Sequence, residues 1–194
     1  MKRKTLSKTA IVATVVAALL TLATSCGKSD DADNLVINFT DEGQTYVLKP
    51  YIQWGASLSD VEDYMRTHYA DWVDTTDGTL VYYDGLGMWY KTYVCGLFMN
   101  RYYFSHSDGR DLEFTEYGYF GTTGLETICA EVVRNGFVYQ GELRYPDYNA
   151  QVCYMYLSDD RTLEVQTAGW EDGSWSLDFQ PTDSADFQFL VTAE

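Results

Sequence analysis

A short segment occurs twice in this chain, and the repeat constrains the fold more than any other feature. Residues 107–114, Ser-Asp-Gly-Arg-Asp-Leu-Glu-Phe, match residues 158–165, Ser-Asp-Asp-Arg-Thr-Leu-Glu-Val. Each copy follows an aromatic stretch, at 101–106 and at 152–157. The pair Asp108-Gly109 suits the positive φ angles of a two-residue hairpin loop. Each copy is therefore predicted to form a strand, a tight turn and a second strand.

The segments ahead of the two hairpins also match, and both have the pattern of a helix start. Trp-Gly-Ala-Ser at 54–57 leads to Asp60, and Phe-Gly-Thr-Thr at 120–123 leads to Glu126. A hydroxyl at the N-cap accepts a hydrogen bond from a free backbone N–H, and the acid favours the positive end of the helix. Apolar residues then recur at helical spacing. They are Leu58, Val61, Met65 and Tyr69 in the first segment, and Leu125, Ile128, Cys129, Val132 and Val133 in the second.

Most of the remaining chain has the patterns of β-strands. Trp175, Leu177 and Phe179 alternate with polar residues, as in a strand with one buried face. Further strands are predicted at 80–83, 88–95 and 137–145, and an opening hairpin at 35–53. Residues 35–194 are expected to form a single α+β domain made of two tandem repeats, at about 50–118 and 119–180. Each repeat would be a helix plus an antiparallel meander, with the helices packed on one face of the sheet.

A helix followed by a meander, duplicated in tandem, resembles the fold of the β-lactamase-inhibitor protein and its relatives among small outer-membrane lipoproteins. The resemblance covers roughly residues 50–180 and rests on the repeat and on the aromatic-Gly-x-Ser/Thr helix starts. It implies a module that binds another protein through an exposed sheet and performs no chemistry. No residue of a known inhibitory loop can be placed on this chain, so inhibition of a given enzyme does not carry over.

The N-terminal 25 residues have the pattern of a secretory signal peptide. Lys2, Arg3, Lys4 and Lys8 precede an apolar run from Ala10 to Leu20, which is shorter than the ~20 residues of a membrane-spanning helix. The segment closes on Leu-Ala-Thr-Ser before Cys26, which resembles the lipobox of bacterial lipoproteins. The resemblance implies that Cys26 is acylated and becomes the mature N-terminus. Gly27 stands where an aspartate retains other lipoproteins at the inner membrane, so the resemblance also implies anchoring in the outer membrane.

Residues 26–34 form an acidic tether, in which Asp30, Asp31 and Asp33 follow the cysteine closely. The cluster resembles the export signal of surface lipoproteins, which implies display on the cell surface. A solvated linker is the alternative. Cleavage before Cys26 leaves 9 Lys+Arg against 29 Asp+Glu, a net charge of −20. Such a surface repels nucleic acid, so the expected partners are the membrane, through the acyl chains, and a protein or a glycan.

The chain offers little support for catalysis or for a cofactor. His106 has Ser105, Ser107 and Asp108 beside it, but neighbours along a strand point to opposite faces, which disfavours a Ser-His-Asp triad. Glu113 and Glu164 occupy equivalent repeat positions and alternate with apolar residues, which indicates a solvated strand face more than a catalytic pair. Neither a metal-ligand spacing nor a glycine-rich phosphate loop is present, so no metal or cofactor is predicted. Three cysteines follow Cys26 and allow at most one disulfide.

Aromatic side chains are the one indication of a binding surface. The chain has 17 Tyr, 5 Trp and 9 Phe, and half or more of the clustered aromatic residues are expected to fill the core of a small sheet protein. The candidate ligand-binding residues are Tyr82, Trp89, Tyr90, Trp170 and Trp175. Exposed Tyr and Trp dominate binding hot spots, so the favoured function is a non-catalytic, protein-binding surface module. A glycan-binding lipoprotein is the alternative, and a hydrolase is a weaker third.

Overall fold

The computed structural model describes residues 35–143 and 152–182. The predicted signal peptide, the tether and Cys26 lie outside the described residues. The helices are α1 (Leu58–His68) and α2 (Leu125–Arg134). The strands are β1 (Ile37–Asp41), β2 (Gln44–Leu48), β3 (Val73–Asp74), β4 (Val81–Tyr83), β5 (Met88–Cys95), β6 (Phe98–Phe104), β7 (Leu112–Tyr119), β8 (Val138–Glu142), β9 (Val152–Leu157), β10 (Leu163–Gly169) and β11 (Trp175–Pro181).

Nine of these strands form one antiparallel sheet, called here the main sheet. Its order is β3-β5-β6-β7-β11-β10-β9-β8, and β4 pairs with β5 beside β3. The meander β5–β6–β7 follows α1 along the chain, the meander β8 to β11 follows α2, and the two meet at the β7–β11 pair. Strands β1 and β2 form a separate hairpin, as the pattern of residues 35–53 predicts.

The prediction of an α+β class is wrong. Among the described residues 46% are in strands and 15% in helices, and the two helices are short. The chain is therefore mainly an antiparallel β protein rather than helices packed on one face of a sheet. The capping signals predict where a helix begins, but they do not predict how long it is or how much of the sheet it covers. Part of the core is instead closed by the β1–β2 hairpin, since Ile37 and Phe39 share a cluster with Leu177 and Phe179.

The two helix starts differ in how they are capped. At α1 the predicted capping box is confirmed, because Asp60 N–H donates to the Ser57 hydroxyl and the Asp60 carboxylate accepts from Ser57 N–H at 2.9 Å. At α2 the N-cap is Gly124, which has no side chain to offer. The Thr123 hydroxyl donates instead to the Thr40 carbonyl, so this residue ties the helix start to β1 rather than capping it.

Both repeated hairpins form, as β6–β7 and β9–β10, but the two copies diverge after their turns. The first connection is longer than the predicted two-residue loop, since Ser105 N–H donates to the Asp111 carbonyl. Gly109 has φ +74° there, and a Cβ at this position would lie 2.5 Å from the Leu58 Cβ at the start of α1. A register shift then lets Tyr103 pair with Phe114 and Phe104 pair with Leu112.

The register shift gives the two copies opposite orientations. The extra residue in the first copy is Glu113, between the paired Leu112 and Phe114. A bulge of this kind moves the following side chains to the other face of the sheet. Phe114 therefore joins a cluster with Met88 and Tyr103, whereas Val165, its match in the second copy, lies in the main core.

Candidate functional site

A row of polar side chains crosses the main sheet on the face opposite the core. Cross-strand pairing joins Thr92 to Arg101, Arg101 to Glu116, Glu116 to Asp178, and Asp178 to Gln166. Strand residues alternate between faces, and Leu177 and Phe179 lie in the core, so Asp178 points away from it. We call these five residues the polar row and their side of the sheet the polar face. They span strands β5, β6, β7, β11 and β10.

Arg101 and Glu116 form the most connected part of the polar row. The Arg101 guanidinium donates to Glu116 Oε2 at 3.0 Å, to the Tyr103 hydroxyl at 3.0 Å and to Thr92 Oγ1 at 3.2 Å. The Tyr103 hydroxyl in turn donates to the same Glu116 oxygen at 2.8 Å. Arg101 also lies over the Tyr90 ring, 4.9 Å from its centroid. Its donors are therefore committed within the fold, and its charge is balanced by Glu116.

Asp178 is the least satisfied member of the polar row. Its Oδ1 is buried and has no hydrogen-bond partner, and neither has the Oγ of Ser176 two residues earlier on the same face. Burial raises the pKa of Asp178 well above its usual value, and the charge of Glu116 raises it further, against the opposing effect of Arg101. The carboxyl group therefore resists ionisation in the free protein.

Glu164 forms a second buried acidic site beside the row, and the expectation of a solvated strand face there is wrong. Its side chain is 4% exposed, and its Oε1 accepts from the amides of Gln166 at 2.7 Å and Gln180 at 2.9 Å. Burial raises the pKa of Glu164 despite these two bonds, which lower it. The bulge explains why its repeat partner differs, since Glu113 is half-buried within the displaced segment.

The structure divides the five aromatic candidates among four places. Tyr82 and Trp89 contact each other on the β4–β5 hairpin, with ring centroids 5.0 Å apart. Tyr90 lies under Arg101 on the polar face, and Trp170 packs against an apolar cluster around Cys153. Trp175 is 1% exposed in the main core, so a ligand on the surface cannot reach it. The aromatic candidates therefore do not converge on one site.

The β4–β5 hairpin exposes the densest group of large apolar side chains. Val81, Tyr82, Tyr83 and Leu86 are 37%, 48%, 48% and 38% exposed, and we call them the aromatic edge. One side of β4 pairs with β5, while its other side pairs with no strand among the described residues. An unpaired strand edge offers backbone donors and acceptors to another chain.

The remaining candidates for chemistry form no reactive group. His106 Nε2 lies 3.2 Å from Asp111 Oδ2, and both side chains are about half exposed. Cys95, Cys129 and Cys153 are free thiols, and burial raises the pKa of Cys153 to about 11.

Within residues 35–143 and 152–182, no cluster of His, Cys, Asp and Glu is arranged to hold a metal ion. In the same ranges, no helix has both the length and the apolar character that crossing a membrane requires.

Comparisons of the chain with family models, with curated proteins and with solved structures find no match. The site therefore rests on its own geometry. Sequence analysis missed Arg101, Glu116 and Asp178 as a group, although the polar alternation in β11 was visible. That pattern predicts a polar face, but it does not say that the residues are buried or which strands lie next to them.

Proposed function

We propose that this protein is a lipid-anchored binding module of the outer membrane, displayed on the cell surface, that captures another protein. The aromatic edge is the observation that carries the proposal. Val81, Tyr82 and Tyr83 on β4 and Leu86 in the turn after it are each more than a third exposed. Among the described residues, the outer edge of β4 pairs with no strand. Contiguous exposed apolar surface of this kind marks interaction sites, and Tyr is among the residues that dominate their energetics.

The edge suits a partner that contributes an extended segment. Such a segment would pair with β4 through the backbone, and the tyrosines would supply contacts with its side chains. The net charge of −20 after cleavage favours a basic partner, since opposite charges steer association. The proposed function is binding rather than catalysis; the Glu116 carboxylate, for example, is occupied by bonds from Arg101 and Tyr103.

The aromatic edge is tested by replacing Tyr82 and Tyr83 together by serine. The purified, detergent-solubilised protein is immobilised, and the surface proteins that it retains are quantified by mass spectrometry. We expect the double variant to retain the partner at least about tenfold less, since hot-spot side chains contribute about 2 kcal/mol or more each. Serine at Phe120 and Val138, which are 60% and 50% exposed at other places, is the matched control and should leave retention unchanged.

Equal loss in both double variants would show general stickiness and contradict the assignment of the edge. Retention that persists in the tyrosine variant would place the partner elsewhere. A glycan-array signal lost in that variant, with no retained protein, would replace protein binding by glycan binding as the function.

The anchor is tested separately at Cys26. In the Cys26→Ala variant the thiol that takes the acyl chains is absent, so we expect the protein to leave the membrane fraction. Each buried lipid methylene contributes about 0.8 kcal/mol, so losing whole acyl chains abolishes anchoring rather than weakening it. Fractionation followed by immunoblotting measures the change, and continued sedimentation of Cys26→Ala with outer membranes would refute a lipid anchor.

A further inference from the structure

Two unpartnered polar atoms on the polar face indicate a second site, separate from the aromatic edge. Ser176 is 2% exposed, and its Oγ has no hydrogen-bond partner. Asp178 follows two residues later on the same side of β11, and its buried Oδ1 is also without a partner. Buried polar atoms in folded proteins are nearly always paired, so two orphans side by side indicate a missing ligand.

The residues around the two atoms are small on one side and acidic on the other. Pairing places Ser176 between Gly118 of β7 and Ala168 of β10. These neighbours carry little or no side chain of their own, and the Met99 side chain covers Gly118, with its Cε 3.0 Å from where a Cβ would lie. A ligand would reach Ser176 by displacing this flexible thioether chain. On the other side Asp178 lies directly opposite Glu116, so two carboxyl groups meet across adjacent strands. Directly opposed residues have Cβ atoms about 5 Å apart, within reach of one ligand group.

The local charge favours a cation as that group. Glu116, Asp178 and Glu164 carry the carboxyls on this face, and Arg101 is the cation beside them. Arg101 is already bound to Glu116, Tyr103 and Thr92. The unpaired atoms of Asp178 and Ser176 can both accept hydrogen bonds. A planar or tetrahedral cation that donates several N–H bonds therefore satisfies both atoms and stabilises the ionised form of Asp178.

We propose that Asp178 and Ser176, with Glu116 beside them, bind the cationic head of a small organic ligand, a guanidinium or a primary ammonium group. Binding would ionise Asp178, which burial and the neighbouring Glu116 otherwise disfavour. The groups that face Asp178 are Glu116 on β7, Arg101 on β6, Glu164 on β10 and the Cys153 thiol on β9. Because the bound cation stabilises the ionised carboxylate, affinity should rise with pH.

The first test uses the unaltered protein and two probes of the same shape. N-butylguanidinium stays charged well above neutral pH, whereas N-butylurea is its neutral counterpart. Titration is followed by NMR shifts of the backbone amides of Ser176, Asp178 and Ala168. We expect saturable shifts with butylguanidinium that strengthen with pH, and no saturation with butylurea. Equal binding of the two probes would overturn the proposal, and so would matching shifts with a methyl glycoside, which would indicate a site for hydroxyl groups.

Variants then locate the site. Asp178→Asn keeps the shape and removes the charge, and it should weaken butylguanidinium binding about tenfold or more. Ser176→Ala provides a second variant, with a smaller expected loss because a neutral acceptor is removed. Glu171→Gln is the matched control, since Glu171 is an exposed acid on the turn before β11. Equal weakening by Glu171→Gln would show non-specific attraction to an acidic protein and would refute the site.

Discussion

Replacing Trp175 by alanine is expected to lower the free energy of unfolding by about 4 kcal/mol, within the range found for buried Trp to Ala changes. The side chain is 1% exposed, and its ring lies 5.0 Å from that of Tyr119 and 5.4 Å from that of Phe39. Its indole Nε1–H donates to the Thr123 carbonyl at 3.0 Å. Alanine would remove contacts with β7, with β1 and with the segment before α2, and would leave a buried carbonyl unpaired.

Equilibrium unfolding in urea measures this change, with Trp175→Phe as the matched control. Phenylalanine keeps most of the ring packing but loses the hydrogen bond to Thr123, which contributes roughly 1 kcal/mol. The loss for Trp175→Phe should therefore be well below that for Trp175→Ala. A near-neutral Trp175→Ala variant with impaired binding would contradict the core assignment and restore Trp175 as a ligand contact.

Local elements of this fold were predictable because their signals are local. The capping box at Ser57, the glycine of the β1–β2 turn and the alternation in β11 each involve a few consecutive residues. The fold class could not be predicted from such local signals. Helix starts were predicted at Ser57 and at Thr123, and the second N-cap is Gly124, one residue later. Both helices are short, and the share of strand becomes clear only from the sheet as a whole.

The polar row could not be predicted from the sequence pattern, for a physical reason. Period-2 alternation assigns a residue to a face, but it does not specify the partner strand or the register. Arg101, Glu116 and Asp178 become neighbours only because β7 pairs with β11 and because β6 and β7 pair in one register. The repeat also misled at Glu164, since the bulge at Glu113 breaks the equivalence of the two copies. Burial of the acidic residues follows from that long-range arrangement.

Asp74 should contribute about 2 kcal/mol to stability through a buried lysine, and Asp74→Asn tests it. Lys91 is 1% exposed, with its Nζ 2.7 Å from Asp74 Oδ2 and 3.9 Å from Glu62 Oε1. Removing one partner of a buried ion pair costs about 3–5 kcal/mol. We expect less here, because Asp74 is 29% exposed and Glu62 remains near the ammonium. Urea unfolding of the variant at neutral pH measures the loss.

The pH dependence gives an independent check of the same pair. Burial acts to raise the pKa of Asp74, but hydrogen bonds from Lys91 and Thr76 outweigh it and lower the pKa to about 2. A carboxyl whose pKa is lower in the folded state stabilises it above the unfolded value of 3.8, and this stabilisation is lost as the pH falls toward 2. The difference in stability between wild type and Asp74→Asn should therefore be full at neutral pH and shrink between about pH 4 and pH 2.

Lys91 is buried whereas Asp74 is partly exposed, so replacing the lysine and replacing the aspartate should have different costs in stability. Lys91→Met leaves Asp74 half-solvated, still bonded to Thr76 and to the Gly78 N–H, so the expected loss is small. Asp74→Asn instead leaves an ammonium group buried with one distant carboxylate. In the Lys91→Met background the Asn change should therefore lose most of its effect, a coupling of about 2 kcal/mol. If Asp74→Asn lowered the stability equally in both backgrounds, Asp74 would stabilise the protein only through its hydrogen bonds with Thr76 and Gly78 in the following turn.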